Sequence, residues 1–131
     1  MRQDFEMHPF ADLIGFTIDS RASGKSSLSL RVAPQHLNPH GVVHGAVLYA
    51  LADTAMGAAL YTTLAADELC ATIEIKISYF KPVITGTASC EGEVVHRGRT
   101  VANLDARVYL GRVLVATANG HYAIFGRSAA A

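Results

Sequence analysis

Only two cysteines occur among the 131 residues, neither sign of charge is in excess, and the glycine-rich fingerprints that cradle nucleotides are missing. Cys70 and Cys90 lie far apart, form no C-x-x-C pair and sit in apolar segments. That excludes a disulfide framework and predicts reduced core thiols, as in a cytoplasmic protein. Eleven basic residues balance eleven acidic ones with no block of like charge, so nucleic acid is not an expected partner. The absence of a G-x-S-x-G elbow, a P-loop and G-x-G-x-x-G removes the usual marks of serine hydrolases, nucleotide hydrolysis and dinucleotide chemistry. The N-terminal stretch Met1–Phe10 carries two acids and no apolar run, unlike a secretory signal. From His44 to Ala66 there is neither Lys nor Arg and one acid, Asp53. Length alone would let that segment span a bilayer. The central carboxylate, the Ala, Gly and Thr content and the missing basic flanks argue against it, and no membrane association is expected.

What is present reads as one domain over residues 1–126, followed by a flexible tail at 127–131. His8-Pro9 can open a short helix over 8–13. Strands are predicted over 15–21 and 26–33 around a Ser23-Gly24-Lys25 turn, and an irregular loop over 34–43 precedes a long helix from about His44 to Leu64. The period then changes to two. Ile73, Ile75, Ile77 and Tyr79 alternate with Thr72, Glu74, Lys76 and Ser78, predicting a half-buried strand that ends at Lys81-Pro82. Strands over 86–96, 100–110 and 113–125 follow, joined by turns at Arg97-Gly98-Arg99 and Gly111-Arg112. In the last strand Ala116, Ala118 and Gly120 share a face small enough for a helix to lie close.

One buried helix followed by consecutive antiparallel strands predicts an α+β domain in which a curved sheet wraps the helix. That helix is apolar on every side, so its uncovered side predicts a second copy across a two-fold axis, a homodimer.

Asp53 is the residue that needs a reason, because an unpaired carboxylate in such a helix costs several kcal/mol. It is either a buried polar anchor capped by a hydroxyl or a chemically active group, acting as general base on a water or as nucleophile. Thr72 could orient that water or the carboxylate, or be an ordinary strand residue. The helix start at His44-Gly45 presents unpaired N–H groups and a positive dipole end, and Gly45 lets a carbonyl approach closely. Asn38 could donate a second hydrogen bond, making an oxyanion-type site, or could simply set the Asn38-Pro39 turn. Gly45 and Asp53 are eight residues apart, about 12 Å along one helix, so only two antiparallel copies could bring both to one carbonyl. His36, His40 and His44 recur every four residues, a metal-ligand spacing on a helix, but Pro39 interrupts it and no metal is expected. Arg97, Arg99 and Arg112 fall on predicted turns, as solvated tips or as holders of ligand phosphates. Tyr49, Met56, Tyr61, Tyr79 and Phe80 could line an apolar pocket or be plain core.

The loop Asn38-Pro39-His40-Gly41-Val42-Val43-His44-Gly45, the step Leu51-Ala52-Asp53 and the strand Thr72–Lys81 with its Tyr79-Phe80-Lys81-Pro82 ending resemble the hotdog-fold acyl-CoA thioesterases, in particular their phenylacetate-pathway (PaaI-like) branch. The resemblance covers nearly the whole chain. It implies a long central helix wrapped by a sheet, dimers with one continuous sheet, often tetramers of two dimers, and hydrolysis of an aryl- or medium-chain acyl-CoA to free acid and CoA without a metal or redox cofactor. By the same resemblance Asp53 is the catalytic carboxylate and Gly45 the backbone donor to the thioester carbonyl. Asn38 polarises that carbonyl or orients the water, His44 lies near the leaving thiol, and Thr72 assists the carboxylate. Arg97 and Arg99 fall near the nucleotide end of CoA, with Tyr79 and Ala46 beside the substrate. Ala46 stands where many relatives have a second glycine, which narrows the site if it matters at all. Two other readings remain: a CoA-ester-binding or assembly module without turnover, and a lyase of the same fold, whose usual catalytic histidine is not evident beside Asp53.

Overall fold

The computed structural model describes residues 8–130. A short helix α1 (Pro9–Ile14) starts where the His8 side chain accepts the Ala11 N–H at 3.1 Å and stops at Gly15, whose φ of 98° is left-handed. Strands β1 (Phe16–Ala22) and β2 (Lys25–Arg31) form the expected hairpin, and the turn residues Ser23 and Gly24 both take positive φ, as a tight two-residue connection requires. A 3₁₀ turn over Pro34–His36 and an irregular loop lead into the long helix α2 (Gly45–Tyr61). It is shorter than the predicted 44–64 because two threonines close it. Thr62 and Thr63 hydroxyls donate to the carbonyls of Ala59 and Leu60, at 2.8 Å each, satisfying groups that a further turn would otherwise have used.

Strand β3 (Glu68–Tyr79), which begins four residues before the predicted start, is followed by β4 (Thr87–Arg97), β5 (Val101–Leu110) and β6 (Val113–Gly126). The sheet order is β1-β2-β4-β5-β6-β3, antiparallel throughout. A helix about 10–12 Å across touches all six strands, which at about 4.8 Å spacing spread over roughly 24 Å. That is feasible only if the sheet curls around α2, as expected of a hotdog fold. Strand β3, although next in sequence, occupies the far edge, and among the described residues it pairs only with β6, which leaves its outer edge open.

The core joins Leu48, Leu51, Ala52, Ala55, Met56, Ala59 and Leu60 of α2 to inward residues such as Leu28, Leu30, Cys90, Leu104 and Val108. Ala116, Ala118 and Gly120 do face inward and are buried, but the tightest helix contact is elsewhere. A Cβ at Gly92 in β4 would fall 2.4 Å from the Ala55 carbonyl oxygen, so the backbone of α2 lies directly on β4. Buried Ser26 donates to that same oxygen at 2.6 Å, tying the first hairpin to the helix. Cys70 and Cys90 form no disulfide: they lie on β3 and β4, three strands apart, roughly 14 Å and beyond bridging reach. Arg127–Ala130 forms a 3₁₀ turn, and the Arg127 amide donates to the Asp67 carbonyl at 2.8 Å. No helix among the described residues is long and apolar enough to cross a membrane.

Candidate active site

One side of α2 is left uncovered by the sheet: Ala46, Tyr49, Ala50, Asp53, Thr54, Gly57 and Tyr61 are all half-buried or exposed. Their spacing of three and four places them on one face. Asp53 is therefore on the side of the helix that the sheet leaves uncovered.

Its carboxylate is held from the sheet. Asp53 Oδ1 accepts the Thr72 hydroxyl at 2.8 Å and the Tyr122 hydroxyl at 2.7 Å, and Tyr122 also reaches the Asp53 carbonyl at 2.9 Å. Asp53 Oδ2 receives no hydrogen bond among the described residues. Burial, and then the charge of Asp53, push the Tyr122 phenol well above its ordinary value, so it is a permanent donor. Around this cluster a pocket of about 290 Å³ is lined also by His8, Phe10, Ala50, Thr54, Gly57, Cys70 and Ala71.

Strict alternation from Ile73 to Tyr79 would point Thr72 away from the helix with Glu74, Lys76 and Ser78. A β-bulge corrects this: Thr72 pairs with Tyr122, Glu74 pairs with the adjacent His121, and Ile73 is the extra residue. The phase slips by one, so Thr72 shares the inner face with Ile75 and Ile77 while Ile73 is pushed out, 55% exposed. Tyr122 was not anticipated from the sequence. The register is what finds it, because the cross-strand partner of Thr72 on the inner face necessarily meets the same helix residue.

At the other end of α2 the His44 side chain is the N-cap and its Nδ1 accepts the Ala46 N–H at 2.9 Å. The Gly45 N–H has no acceptor among the described residues. A Cβ at Gly45 would come within 3.1 Å of the Tyr79 ring, and the Tyr79 hydroxyl donates to the Gly45 carbonyl at 2.7 Å. Gly45 thus has a packing reason to be glycine besides any role toward a ligand. With Phe80, Lys81 and Val83 these residues border a second pocket of about 300 Å³. Burial, then the neighbouring Tyr49 charge, raise the Tyr79 phenol. Asn38 sets its turn: its Oδ1 accepts the amides of His40 at 2.9 Å and Val42 at 3.2 Å, leaving the Nδ2 hydrogens as donors without an intramolecular partner among the described residues.

Other sequence candidates are placed differently. Arg97 is the last residue of β4 rather than a turn residue, and it forms a 2.6 Å ion pair with Glu68, so its charge is already matched. Arg99 is exposed on the following turn, and neither arginine lines the Asp53 pocket. His36 is buried: its Nδ1 accepts the Ala33 amide at 2.9 Å, which leaves Nε2–H to donate to the Ile14 carbonyl. Both nitrogens are engaged by backbone, so His36, His40 and His44 do not act as a ligand row. Met56 is fully buried core, and Tyr61 lies beneath the Arg21 guanidinium, 5.8 Å from its ring centroid.

Residues 40–116 match the family model of the Thioesterase superfamily. A conserved Pseudomonas aeruginosa protein, PA5202, has a similar structure, with a TM-score of 0.91, 30% identity, and 95% of this chain and 100% of that one covered. The PaaI protein of the Escherichia coli phenylacetic acid degradation operon superposes with a TM-score of 0.86 at 26% identity, covering 94% and 88% of the two chains. A Thermus thermophilus phenylacetic acid degradation protein PaaI superposes at 0.83 with 28% identity, covering 88% and 98%. The helix-wrapping sheet, the anchored aspartate and the family match over more than half of the chain agree: this chain belongs to the thioesterase superfamily, as a hotdog-fold protein of the PaaI-like branch.

Proposed function

We propose that the protein hydrolyses an acyl-CoA thioester to a free acid and CoA, using Asp53 from one subunit and the start of α2 from another. One observation carries this reading. A carboxylate on the uncovered side of the helix is anchored through a single oxygen by two hydroxyls, which supports a positioned reactive group more than a neutralised core acid.

Within one chain Asp53 and the Gly45 amide are about 12 Å apart along the helix axis, too far to share a carbonyl. The open edge of β3 carries exposed Ile73, with Tyr79 and Phe80 at its end, and Tyr49 lies on the neighbouring helix face. An unpaired strand edge with exposed apolar side chains beside it invites pairing with another strand. Two copies joined edge to edge, antiparallel, form one continuous sheet, lay two α2 helices side by side and bring the Asp53 of one toward the Gly45 end of the other. Two such dimers would make the tetramer that the resemblance implies.

In that arrangement the Gly45 N–H, helped by the α2 dipole and the Asn38 amide, stabilises the oxyanion as the thioester carbonyl is attacked. Asp53 either takes a proton from the attacking water or attacks the carbonyl itself. In either case the carbon–sulfur bond breaks, the proton taken from water ends on the CoA sulfur, and water supplies the acid oxygen; on the nucleophilic route it does so by cleaving the acyl–Asp53 anhydride, which restores the carboxylate. In this reading His44, exposed at the helix start, faces the leaving thiol. With Arg97 engaged by Glu68, Arg99 is the better candidate for the CoA phosphates. Two cysteines with no disulfide between them fit a reducing cytoplasm.

The test is thiol release from short, medium, long and aryl CoA thioesters. Asp53→Asn should lower kcat by at least 100-fold while the circular dichroism spectrum and oligomer size stay those of the wild type. Wild-type rates in that variant would overturn the mechanism. Binding of CoA esters without any thiol release would instead identify a non-catalytic module.

A further inference from the structure

Gly57 sits in the interior of α2, where a glycine costs about 1 kcal/mol relative to alanine. Among the described residues nothing crowds it: a Cβ built there would meet the Tyr122 ring at 4.0 Å, an ordinary contact, whereas Gly92 and Gly45 are crowded by their neighbours. Gly57 lies four residues after Asp53, one turn further along the same face, and lines the same pocket.

On another side the pocket is bordered by α1. Phe10 projects from that helix, 48% exposed, with its ring held edge-on against Phe16 at 6.3 Å between centroids. Ala50 and Ala71 add two more small walls, and the polar lining comes from His8, Thr54 and Thr72 beside Asp53 and the Tyr122 hydroxyl. At about 290 Å³ this is at the small end of ligand pockets, generally about 300–1,000 Å³. An apolar space beside one fixed reactive group, with a floor stripped of its side chain, is shaped for the non-reacting part of a substrate.

We infer that the acyl group of the thioester lies over Gly57 and against Phe10, so that these two residues set which acyl groups are admitted: compact apolar ones, aryl or short-to-medium chain, and not long chains. The inference rests on the thioesterase reading above. The thioester carbonyl meets Asp53, and the acyl carbons run down the next turn of the helix. Any side chain at position 57 occupies their path. Phe10, at the rim, stops longer chains or stacks on aryl ones.

The experiment compares wild type, Gly57→Ala, Gly57→Leu and Phe10→Ala in thiol release from acetyl-, octanoyl-, palmitoyl- and phenylacetyl-CoA. In parallel, thermal stabilisation is measured with the matching non-hydrolysable acyl-CoA thioethers, and oligomer size by sedimentation. Each extra methylene's worth of bulk in an apolar pocket is worth roughly 10–200-fold in discrimination. The ratio of kcat/KM for octanoyl to that for acetyl should therefore fall at least tenfold in Gly57→Leu and less in Gly57→Ala. Phe10→Ala should raise the palmitoyl-to-octanoyl ratio and lower the preference for phenylacetyl. Unchanged ratios in all variants overturn the inference while leaving the thioesterase reading intact. If Gly57→Leu loses all substrates in parallel and sediments as a smaller species, a partner helix rather than an acyl group covers Gly57, and the inference again fails. Should the wild type hydrolyse none of the esters, the thioesterase reading falls, and the thioether stabilisation profile decides the pocket: loss of the octanoyl effect with retention of the acetyl effect in Gly57→Leu supports it, an unchanged profile refutes it.

Discussion

Removal of the two hydroxyls on Asp53, singly and together, tests the centre of the site without assuming any activity. Tyr122→Phe deletes a donor 2.7 Å from a carboxylate oxygen and 2.9 Å from a carbonyl, while the ring, 2% exposed, keeps its packing. A hydrogen bond to a charged group is worth about 1.5–3 kcal/mol when buried. Asp53 is only half-buried and water can replace part of the loss, which brings the expected destabilisation to about 1–2 kcal/mol. The Thr72 hydroxyl, 2.8 Å from the same oxygen, is on an exposed residue, so Thr72→Val should lose about 0.5–1 kcal/mol. Both donors share Oδ1. When one is gone the other faces no competitor and its bond strengthens, so the double variant should lose more than the summed singles by about 0.5 kcal/mol or more. Urea unfolding at one fixed protein concentration, with m-values checked for constancy, measures all four corners of the cycle. Additivity within about 0.3 kcal/mol would show that the hydroxyls act independently and would refute a carboxylate anchored jointly through one oxygen.

Gly92→Ala should destabilise the fold by about 1–3 kcal/mol or more, read from the urea midpoint, because its Cβ would lie 2.4 Å from backbone oxygen of α2, which cannot rotate away. On the alkaline side, the folded-state value of Tyr122 is raised by burial and by Asp53, so native protein binds that proton more tightly than the unfolded chain does. The resulting stability is fully present below about pH 10 and declines as pH rises further, a slope that Tyr122→Phe should lessen. Tyrosinate absorbance should show one phenol that ionises only as the protein unfolds; complete titration of all five tyrosines in folded protein would contradict this. Ile73→Lys puts a charge on the open β3 edge at a residue 55% exposed in the single chain, and should raise the dimer dissociation constant at least 100-fold in sedimentation equilibrium while each subunit stays folded.

The fold class was legible in the sequence because it depends on short-range regularities. The single unbroken apolar helix, the switch to a period of two after it, and the Gly and Pro punctuation of the loops all express local sterics and one-dimensional patterning, and each α-helix and strand lies within a few residues of its expected place, while the 3₁₀ turns at Pro34–His36 and Arg127–Ala130 fall in segments read as loop and tail. Asp53 was legible for the same reason: a lone acid in an apolar helix conflicts with its neighbours. Where α2 ended early, threonine hydroxyls decided it: Thr62 and Thr63 donate to carbonyls three residues back, and Thr62 also accepts the distant Gly24 amide at 2.7 Å.

What only the tertiary structure decided concerns phase and partners. Alternation alone assigns Thr72 to the outer face; the bulge at Ile73, a feature of how β3 meets β6, turns it inward to Asp53. Tyr122 carries no local signal, being one more residue of β6 until register sets it opposite Thr72. Arg97 reads as an unmatched cation on a turn until folding sets it against Glu68, 29 residues away in sequence. The close approach expected on the small face of β6 falls instead at Gly92, because the position of the helix on the sheet is a property of the whole curl. Patterning depends on each residue and its near neighbours and can be read along a line. Hydrogen-bond partners, strand phase and the room left beside a glycine depend on residues far apart in the chain, and exist only once the sheet has closed around the helix.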